Sequence, residues 1–261
     1  MKFTGIAGIT VPRAGRCAIQ SVSFSVFRFD RLVDRLWVLG QMAVARPALS
    51  RTPDIGFWKL FGSGTGEGFT PRPNTAVWAI LCTWPSETIA RREVADHPVF
   101  ARWRARAAED YSVFLTPASS RGRWDGAEPF HRVTPMMNGP IAALTRATIR
   151  PRILMKFWER VPDISSAIGT DRNVIFKIGV GEIPWFHQVT FSIWPDASSM
   201  AEFARRDGPH ARAIRAVREG NWFKEELYAR FHVSSDMGTW NGQSPLSRRL
   251  EEMRALEEMS A

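Results

Sequence analysis

The sequence predicts an α+β fold in which two similar halves follow one another along the chain. The first observation is an internal repeat, because "FWKLFGSG" at 57–64 resembles "VIFKIGVG" at 174–181. The second is that a β-rich run follows each copy and ends in Trp-Pro, at 84–85 and 194–195. The third is the size and composition, since 261 residues with 44% hydrophobic residues are enough for a large core. Matches in the same order indicate a duplicated unit.

The first half opens with a strand. "SVSFSVFRF" at 21–29 alternates strictly at first, with Val22, Phe24 and Val26 on one face and serines on the other. A helix, two strands, a helical stretch and a fourth strand follow it. The stretches that carry the helix and the three strands are 31–42, 57–64, 77–84 and 110–115.

The helix of the first half is predicted from the spacing of its leucines. Within "RLVDRLWVLGQM" at 31–42, Leu32, Leu36 and Leu39 recur at helical intervals. The second half repeats the order of elements, with a strand, "IAALTRATI", and a helical stretch, "RILMKFWERV", before its own copy of the repeat. The strand lies at 141–149 and the helical stretch at 152–161. The later strands of the second half lie at 174–181, 188–194 and 226–231.

Each half therefore reads strand, helix, strand, strand, helix, strand, which is the ferredoxin-like βαββαβ order. Each also ends in a matching turn, "WDGAEPF" at 124–130 and "WNGQSPL" at 240–246. By analogy with known folds, two such sheets in one chain pack together as a dimeric α+β barrel.

The repeat also sets the predicted boundaries. A segment that matches neither half, and is a candidate for disorder, precedes the first half, and a linker separates the halves. "PLSRRLEEMRALEEM" then places apolar residues at helical spacing among charges and predicts a terminal amphipathic helix. The segments in order are 1–20, 21–130, 131–140, 141–246 and 247–261.

The charge favours acidic partners, because the net charge is +9 and most of it comes from arginine. The basic residues are scattered, which argues against a nucleic-acid interface. Cys17 and Cys82 lie in unlike contexts and indicate neither a disulfide framework nor a zinc site. No stretch is long enough for a membrane span. We therefore expect a cytoplasmic protein, with peripheral membrane contact as a further expectation.

The glycines of "FGSGTGEG" at 61–68 raise the question of a phosphate-binding loop. Neither the Walker ending nor a following helix is present, since Pro71 and Pro73 favour an extended chain. We interpret the segment as a connection between two strands.

His210 is the histidine whose surroundings suggest chemistry. In "DGPHARAIRAVREGNWF", Asp207 can cap a helix, and Pro209 suits its first turn. Helical spacing aligns His210 with apolar residues, so burial and the helix dipole both favour a neutral imidazole. Such a group can bind a haem iron or another metal, and the alternative is a buried core histidine. His97 is the weaker candidate of the first half, and a strand position argues against Cys82 as a thiolate ligand.

Several stretches together resemble the spheroidene monooxygenase family, the acyclic carotenoid 2-ketolases. They are "RLWVLGQM", "FWKLFGSGTGEGFTPRPN", "PIAALTRATI", "VIFKIGVGE", "QVTFSIWPDA" and "GPHARAIRAVREGNWFKEELYARF". The resemblance covers roughly residues 21 to 246. It implies a haem-dependent oxygenase that draws electrons from reduced ferredoxin and oxidises the methylene beside the methoxylated end of spheroidene. Two hydroxylations at one carbon would give a geminal diol, which loses water to form a ketone.

The resemblance also implies site residues. The stretch "GPHARAIRAV" implies His210 as the axial ligand of the haem iron. Arg146 and Gln188 are the predicted catalytic residues, because polar groups in a strand pattern could steer bound oxygen or anchor a haem propionate. Thr190 and Ser192 share the polar face of Gln188, and solvent-facing strand residues are the alternative. Two other functions stay open: a non-catalytic carrier of haem or an isoprenoid, and a haem lyase or dehydratase on the same barrel.

Overall fold

The computed structural model describes residues 20–66, 70–131, 138–155, 157–158, 173–205, 220 and 222–248. Eight strands form its centre. Their bounds are β1 Ser21–Arg28, β2 Trp58–Gly64, β3 Pro73–Trp84, β4 Glu109–Gly122, β5 Ile141–Ile149, β6 Phe176–Gly181, β7 His187–Trp194 and β8 Phe223–Gly238. The helices are α1 Leu32–Arg51, α2 Glu87–Asp96, α3 Pro98–Arg104 and α4 Ala197–Arg205, and a 3-10 turn spans Pro151–Ile153.

The strands close into one antiparallel barrel. Their order around it is β1-β3-β2-β6-β7-β5-β8-β4, so β1 to β4 and β5 to β8 each form a contiguous group with the same internal order. Two seams join the groups: a long one between β4 and β8, and a short one between β2 and β6 that pairs Gly62 with Gly181 and Ser63 with Val180. The observed fold is thus an α+β barrel of eight strands.

The barrel interior is filled by apolar side chains from alternate strand positions. Phe24 of β1 and Phe191 of β7 stack across it with their ring centroids 4.3 Å apart. Phe61 and Phe176 lie beside this pair and are also buried. Because this interior is packed by the chain itself, a large ligand has to bind elsewhere.

The outside of β1 to β4 is covered by helices. Phe27 points outward from β1 and meets Trp103 of α3 edge-on, with the ring centroids 5.4 Å apart. The hydroxyl of Ser86 accepts from the Ile89 amide and caps α2, while His97 caps α3. A second apolar core therefore lies between this side of the sheet and the helices.

The two matching turns predicted from the repeat cross between the groups of strands. Asp125 and Gly126 follow Trp124 with φ of 51° and 78°, the positive values of a type I′ turn. Their backbone amides donate to the carboxylate of Glu225 on β8, at 2.7 and 2.9 Å. The turn after Trp240 repeats this arrangement, since its Gly242 amide donates to Glu109 of β4 at 2.6 Å. Each turn thus binds the last strand of the other group.

The structure also bears on the predictions made for the glycine-rich segment and the first helix. Of the glycine-rich segment 61–68, residues 61–64 belong to β2 itself, and the connection to β3 begins at Thr65, whose amide donates to the Arg72 carbonyl at 2.8 Å. The helix predicted at 31–42 extends to Arg51. Leu32, Leu36 and Leu39 face solvent, because the positions buried against the sheet are Asp34, Val38, Ala45 and Leu49. The predicted segment 1–20 and the C-terminal helix at 247–261 fall almost entirely outside the described residues.

Candidate functional site

The candidate site is the outward side of β5, β6 and β7, called here the pocket floor. Its residues alternate with those that fill the barrel interior, so they point away from the barrel axis. The pocket floor consists of Ala143, Thr145, Ala147, Lys177, Gly179, Gln188, Thr190 and Ser192. Apart from the charged Lys177, all are small or polar.

The matching side of the first group of strands is filled differently. Trp84 and Trp194 end β3 and β7, and aligning them matches Trp78, Ile80 and Cys82 with Gln188, Thr190 and Ser192. The strand registers extend the match, since Phe27 pairs with Trp78 as Ala147 pairs with Gln188, and Leu60 pairs with Ile80 as Gly179 pairs with Thr190.

Four of the five matched positions change from a large apolar residue to a small or polar one, and the fifth changes from Cys82 to Ser192. In the first group every one of these side chains is buried, with at most 7% exposed. In the second group Ala147 and Ser192 are also buried, with 4% and 7% exposed, while Gln188 and Thr190 are half-buried. The two sides therefore differ in the size and polarity of the side chains that the strands direct outward.

Two apolar clusters border the pocket floor at its ends. At one end, Ile141 and Trp194 pack against α4, where the Trp194 and Phe203 rings lie 5.2 Å apart. At the other end, Ile149 packs with Phe157 and Trp222. Ile141 and Ile149 are eight residues apart on β5, a distance of about 26 Å along an extended strand. The floor between these walls is long enough for a large flat ligand.

Gln188 lies on the pocket floor, as do Thr190 and Ser192, so the three share one face as the alternation predicted. The Ser192 hydroxyl accepts from the Trp194 indole at 2.9 Å and belongs to the wall. The half-buried Gln188 amide and Thr190 hydroxyl can donate to a polar group of a ligand.

Arg146 points the other way, into the barrel, and is 0% exposed. Its guanidinium lies 2.5 Å from Glu225 and 3.2 Å from Asp125, and its face covers the Trp124 ring at 5.7 Å. The matched position in β1 is Val26, because Val26 precedes Phe27 in β1 as Arg146 precedes Ala147 in β5. The structure thus places Arg146 and Gln188 on opposite faces of the sheet and does not bring them together.

The acids around Arg146 form a charged network at this end of the barrel. Lys59 pairs with Glu182 at 2.7 Å and also contacts Asp125. Burial by itself would raise the pKa of Glu182, but hydrogen bonds from His187, Lys59 and Trp124 and the Lys59 charge outweigh it and lower the pKa to about 2. Glu182 is therefore ionised at neutral pH.

Sequence reasoning missed Lys59, Glu182 and Glu225, since each reads as an ordinary charged residue near a strand end. One signal was available for Glu225. It stands fifteen residues before Trp240, as Glu109 stands fifteen before Trp124, so the repeat extends to both carboxylates.

The predicted haem ligand His210 lies outside the described residues. His97 is described and is engaged on both ring nitrogens: Nδ1 accepts from the Val99 amide at 3.2 Å, and Nε2 lies 2.9 Å from the Thr52 hydroxyl. Burial lowers the pKa of His97, which favours its neutral form. Burial also raises the pKa of the Cys82 thiol well above its usual range, so it stays protonated.

Within the described part of the chain, no three His, Cys, Asp or Glu residues lie close enough together to hold a metal ion. None of the described helices has the length and hydrophobicity needed to cross a bilayer.

Comparison with known proteins places the chain among named relatives. It is 55% identical over 234 residues to spheroidene monooxygenase of Cereibacter sphaeroides, which covers 89% of this chain and 72% of the relative. It is 52% identical over 233 residues to spheroidene monooxygenase of Rhodobacter capsulatus, which covers 88% of this chain and 97% of the relative. No protein-family model matches the sequence.

Among solved structures, an aldoxime dehydratase superposes with a TM-score of 0.59 over 91% of this chain and 90% of its own. Its sequence is 10% identical to this one. At that identity the superposition shows a shared fold.

Proposed function

Because the chain belongs to the spheroidene monooxygenase family, we propose that it oxidises an acyclic carotenoid to a ketone with a haem bound over the pocket floor. The observation that carries the haem site is the matched set of positions. Large buried residues at Phe27 and Trp78 correspond to Ala147 and Gln188 on the floor. A side of the sheet that keeps its apolar walls and loses its filling residues suits a large, flat, mostly apolar ligand.

We also propose that the chain consists of two tandem ferredoxin-like halves, which agrees with the identical strand order in both groups and with the crossed Trp124 and Trp240 turns. The first group also has its helices in the expected places, after β1 and after β3. The helix after β5 is described only in part, from Pro151 to Trp158.

His210 is the proposed axial ligand of the haem iron. Its support within this chain comes from the repeat, because Asp96-His97-Pro98 in the first half resembles Asp207-Gly208-Pro209 in the second. In the first half the residue after this proline is Val99, which is 1% exposed and faces the sheet core. His210 holds the same place in the pattern, whereas His97 corresponds to Gly208.

The chain's own residues would bind and orient the substrate. The aromatic walls around Trp194 and Phe157 would receive the polyene, which is apolar, and keep water away from the reacting carbon. The Gln188 amide and the Thr190 hydroxyl would donate hydrogen bonds to polar groups in the pocket. Arg146 lies on the barrel side of β5 and would hold this strand in position through its ion pairs with Glu225 and Asp125. We therefore assign Arg146 a positioning role and Gln188 a catalytic one.

The reaction balances with an external reductant. When bound, the haem supplies the oxidising power that breaks a C–H bond. Each hydroxylation places one oxygen atom of O₂ on carbon and releases the other as water, using two electrons and two protons. Two such steps give a geminal diol, and loss of water leaves the ketone. Reduced ferredoxin is the proposed electron donor, since an acidic protein suits a chain of net charge +9.

Reconstitution with purified components tests this function. Spheroidene, reduced ferredoxin and O₂ are expected to give spheroidenone, identified by mass, and omission of either O₂ or reductant should prevent it. Haem or carotenoid binding without turnover would instead indicate a carrier. Turnover without oxygen or reductant would indicate a lyase or dehydratase.

A further inference from the structure

An exposed apolar stripe runs along α1. Five of the eight large hydrophobic residues exposed in the described part of the chain belong to this helix. Leu32 is 70% exposed and Leu36 is 64% exposed. The stripe consists of Leu32, Val33, Leu36, Leu39, Gly40, Ala43, Val44 and Pro47, all exposed.

The stripe is one continuous face. At 100° per residue these positions fall on the side of α1 opposite Asp34, Val38, Ala45 and Leu49, which are buried. It extends from residue 32 to residue 47, about 22 Å along the helix axis. A helix that is apolar on both sides is normally buried on both sides, so the outward stripe of α1 calls for a partner.

Basic residues border the stripe. Arg35 and Arg46 are eleven residues apart, so they lie along the same edge. On the opposite edge the half-buried Trp37 is covered by the Arg106 guanidinium, 4.7 Å from its ring centroid. Asp34 is the acidic residue of α1, and it is 6% exposed. The exposed charge of the helix is therefore entirely positive.

We propose that this stripe is a membrane-docking surface that places α1 in the interface of an anionic bilayer. An apolar face bordered by arginines is the pattern of helices that lie in the plane of the headgroups, where the cations meet lipid phosphates. The proposal rests on the proposed carotenoid substrate, which is apolar and resides in the bilayer. Docking through α1 would bring the enzyme to the phase that holds its substrate.

A second copy of this chain explains the stripe less well. In a symmetric pair the arginine borders of one α1 would approach those of the other, and α1 offers no exposed carboxylate to neutralise them. An anionic lipid surface supplies that negative charge. The charge pattern thus selects lipid over self-association.

Vesicle co-sedimentation of the full chain tests the surface. Wild type should bind phosphatidylglycerol vesicles at least tenfold more tightly than phosphatidylcholine vesicles, and added salt should weaken the binding. The double variant Leu36→Glu and Leu39→Glu should lose at least tenfold in affinity. The matched control is Ile183→Glu, at a position 49% exposed outside α1, and it should bind like wild type.

Several results would overturn the docking surface. These are unchanged binding of the double variant, an equal loss in Ile183→Glu, or a wild-type dimer that dissociates in the double variant. A drop of many degrees in the melting temperature of the double variant would also overturn it, because it would mean that the chain itself covers the stripe.

Turnover assays separate this inference from the proposed function. The double variant should convert spheroidene in detergent micelles at the wild-type rate and lose at least tenfold with spheroidene in vesicles. If wild type converts spheroidene in neither form, the proposed function fails, while sedimentation still decides the docking surface.

Discussion

The haem site can be tested by giving the pocket floor the larger residue found at the matched position of the first group of strands. The matched position of Ala147 is Phe27, which is 0% exposed in the first group of strands. Ala147→Phe places an aromatic ring in the space proposed for the haem. Overpacking costs about 1–3 kcal/mol, which corresponds to a roughly 5- to 150-fold weaker retention of haem. Because Ala147 is itself only 4% exposed, the haem-free variant should stay folded and lose no more than the same ~1–3 kcal/mol of stability.

The assay is the haem-to-protein ratio of the purified variant by the pyridine haemochrome method, together with thermal unfolding of the haem-free form. Ala105→Phe is the matched control, since Ala105 is exposed at the end of α3 in the first group. A wild-type haem ratio in Ala147→Phe would refute the site. Unfolding of the haem-free variant would refute it too, because it would mean that the chain already fills the space.

Further predictions concern the histidines and the charged network. His210→Ala should remove the Soret band, whereas His97→Ala should leave haem content nearly intact; an unchanged Soret band in His210→Ala would remove the ligand assignment. Because burial lowers the pKa of His97 in the folded state, its stabilising contribution is present above the unfolded value of 6.5 and is lost as pH falls below it. In urea unfolding, the free energy of unfolding of wild type should fall relative to that of His97→Asn as the pH is lowered below 6.5, because asparagine can cap the helix but does not titrate. A difference between the two proteins that does not change with pH would contradict this. Glu182→Gln should cost roughly 3 kcal/mol at pH 7, because its pKa falls from 4.5 to about 2 on folding. This cost should shrink to less than half by pH 3, because Glu182 of the unfolded chain is protonated there while Glu182 of the folded chain, with its pKa of about 2, stays mostly ionised. A constant difference between pH 7 and pH 3 would exclude Glu182 as its source.

The strand framework was predictable because it depends on local periodicity and on repetition. The alternation around Val22 and Phe24 located β1, and the Trp-Pro pairs located the ends of β3 and β7. The turns after Trp124 and Trp240 followed from Asp-Gly and Asn-Gly, since these residues tolerate the positive φ of a type I′ turn. Each of these signals depends only on residues that are close together in sequence.

The orientation of α1 was not predictable in the same way. The spacing of Leu32, Leu36 and Leu39 predicted a helix correctly, but periodicity does not say which of two apolar faces meets the sheet. The sheet selected the face with the smaller Val38 and Ala45, and the leucines were left in solvent. The choice is made by packing between elements distant in sequence.

The surroundings of Arg146 were hidden for a related reason. A charge in a strand pattern predicts a solvent-facing position or a ligand, whereas the structure pairs Arg146 with Glu225 and Asp125. Those partners are 79 and 21 residues away in sequence. Gln188 was easier to place, because its alternation with Val189 assigns it to a face without reference to distant residues.

The origin of the product's oxygen tests the central claim most directly. Purified protein, reduced ferredoxin and spheroidene under ¹⁸O₂ in ordinary water should yield a ketone that carries one ¹⁸O atom, measured by mass spectrometry. A ketone with oxygen from water, or one formed without O₂, would contradict a monooxygenase reaction at this barrel.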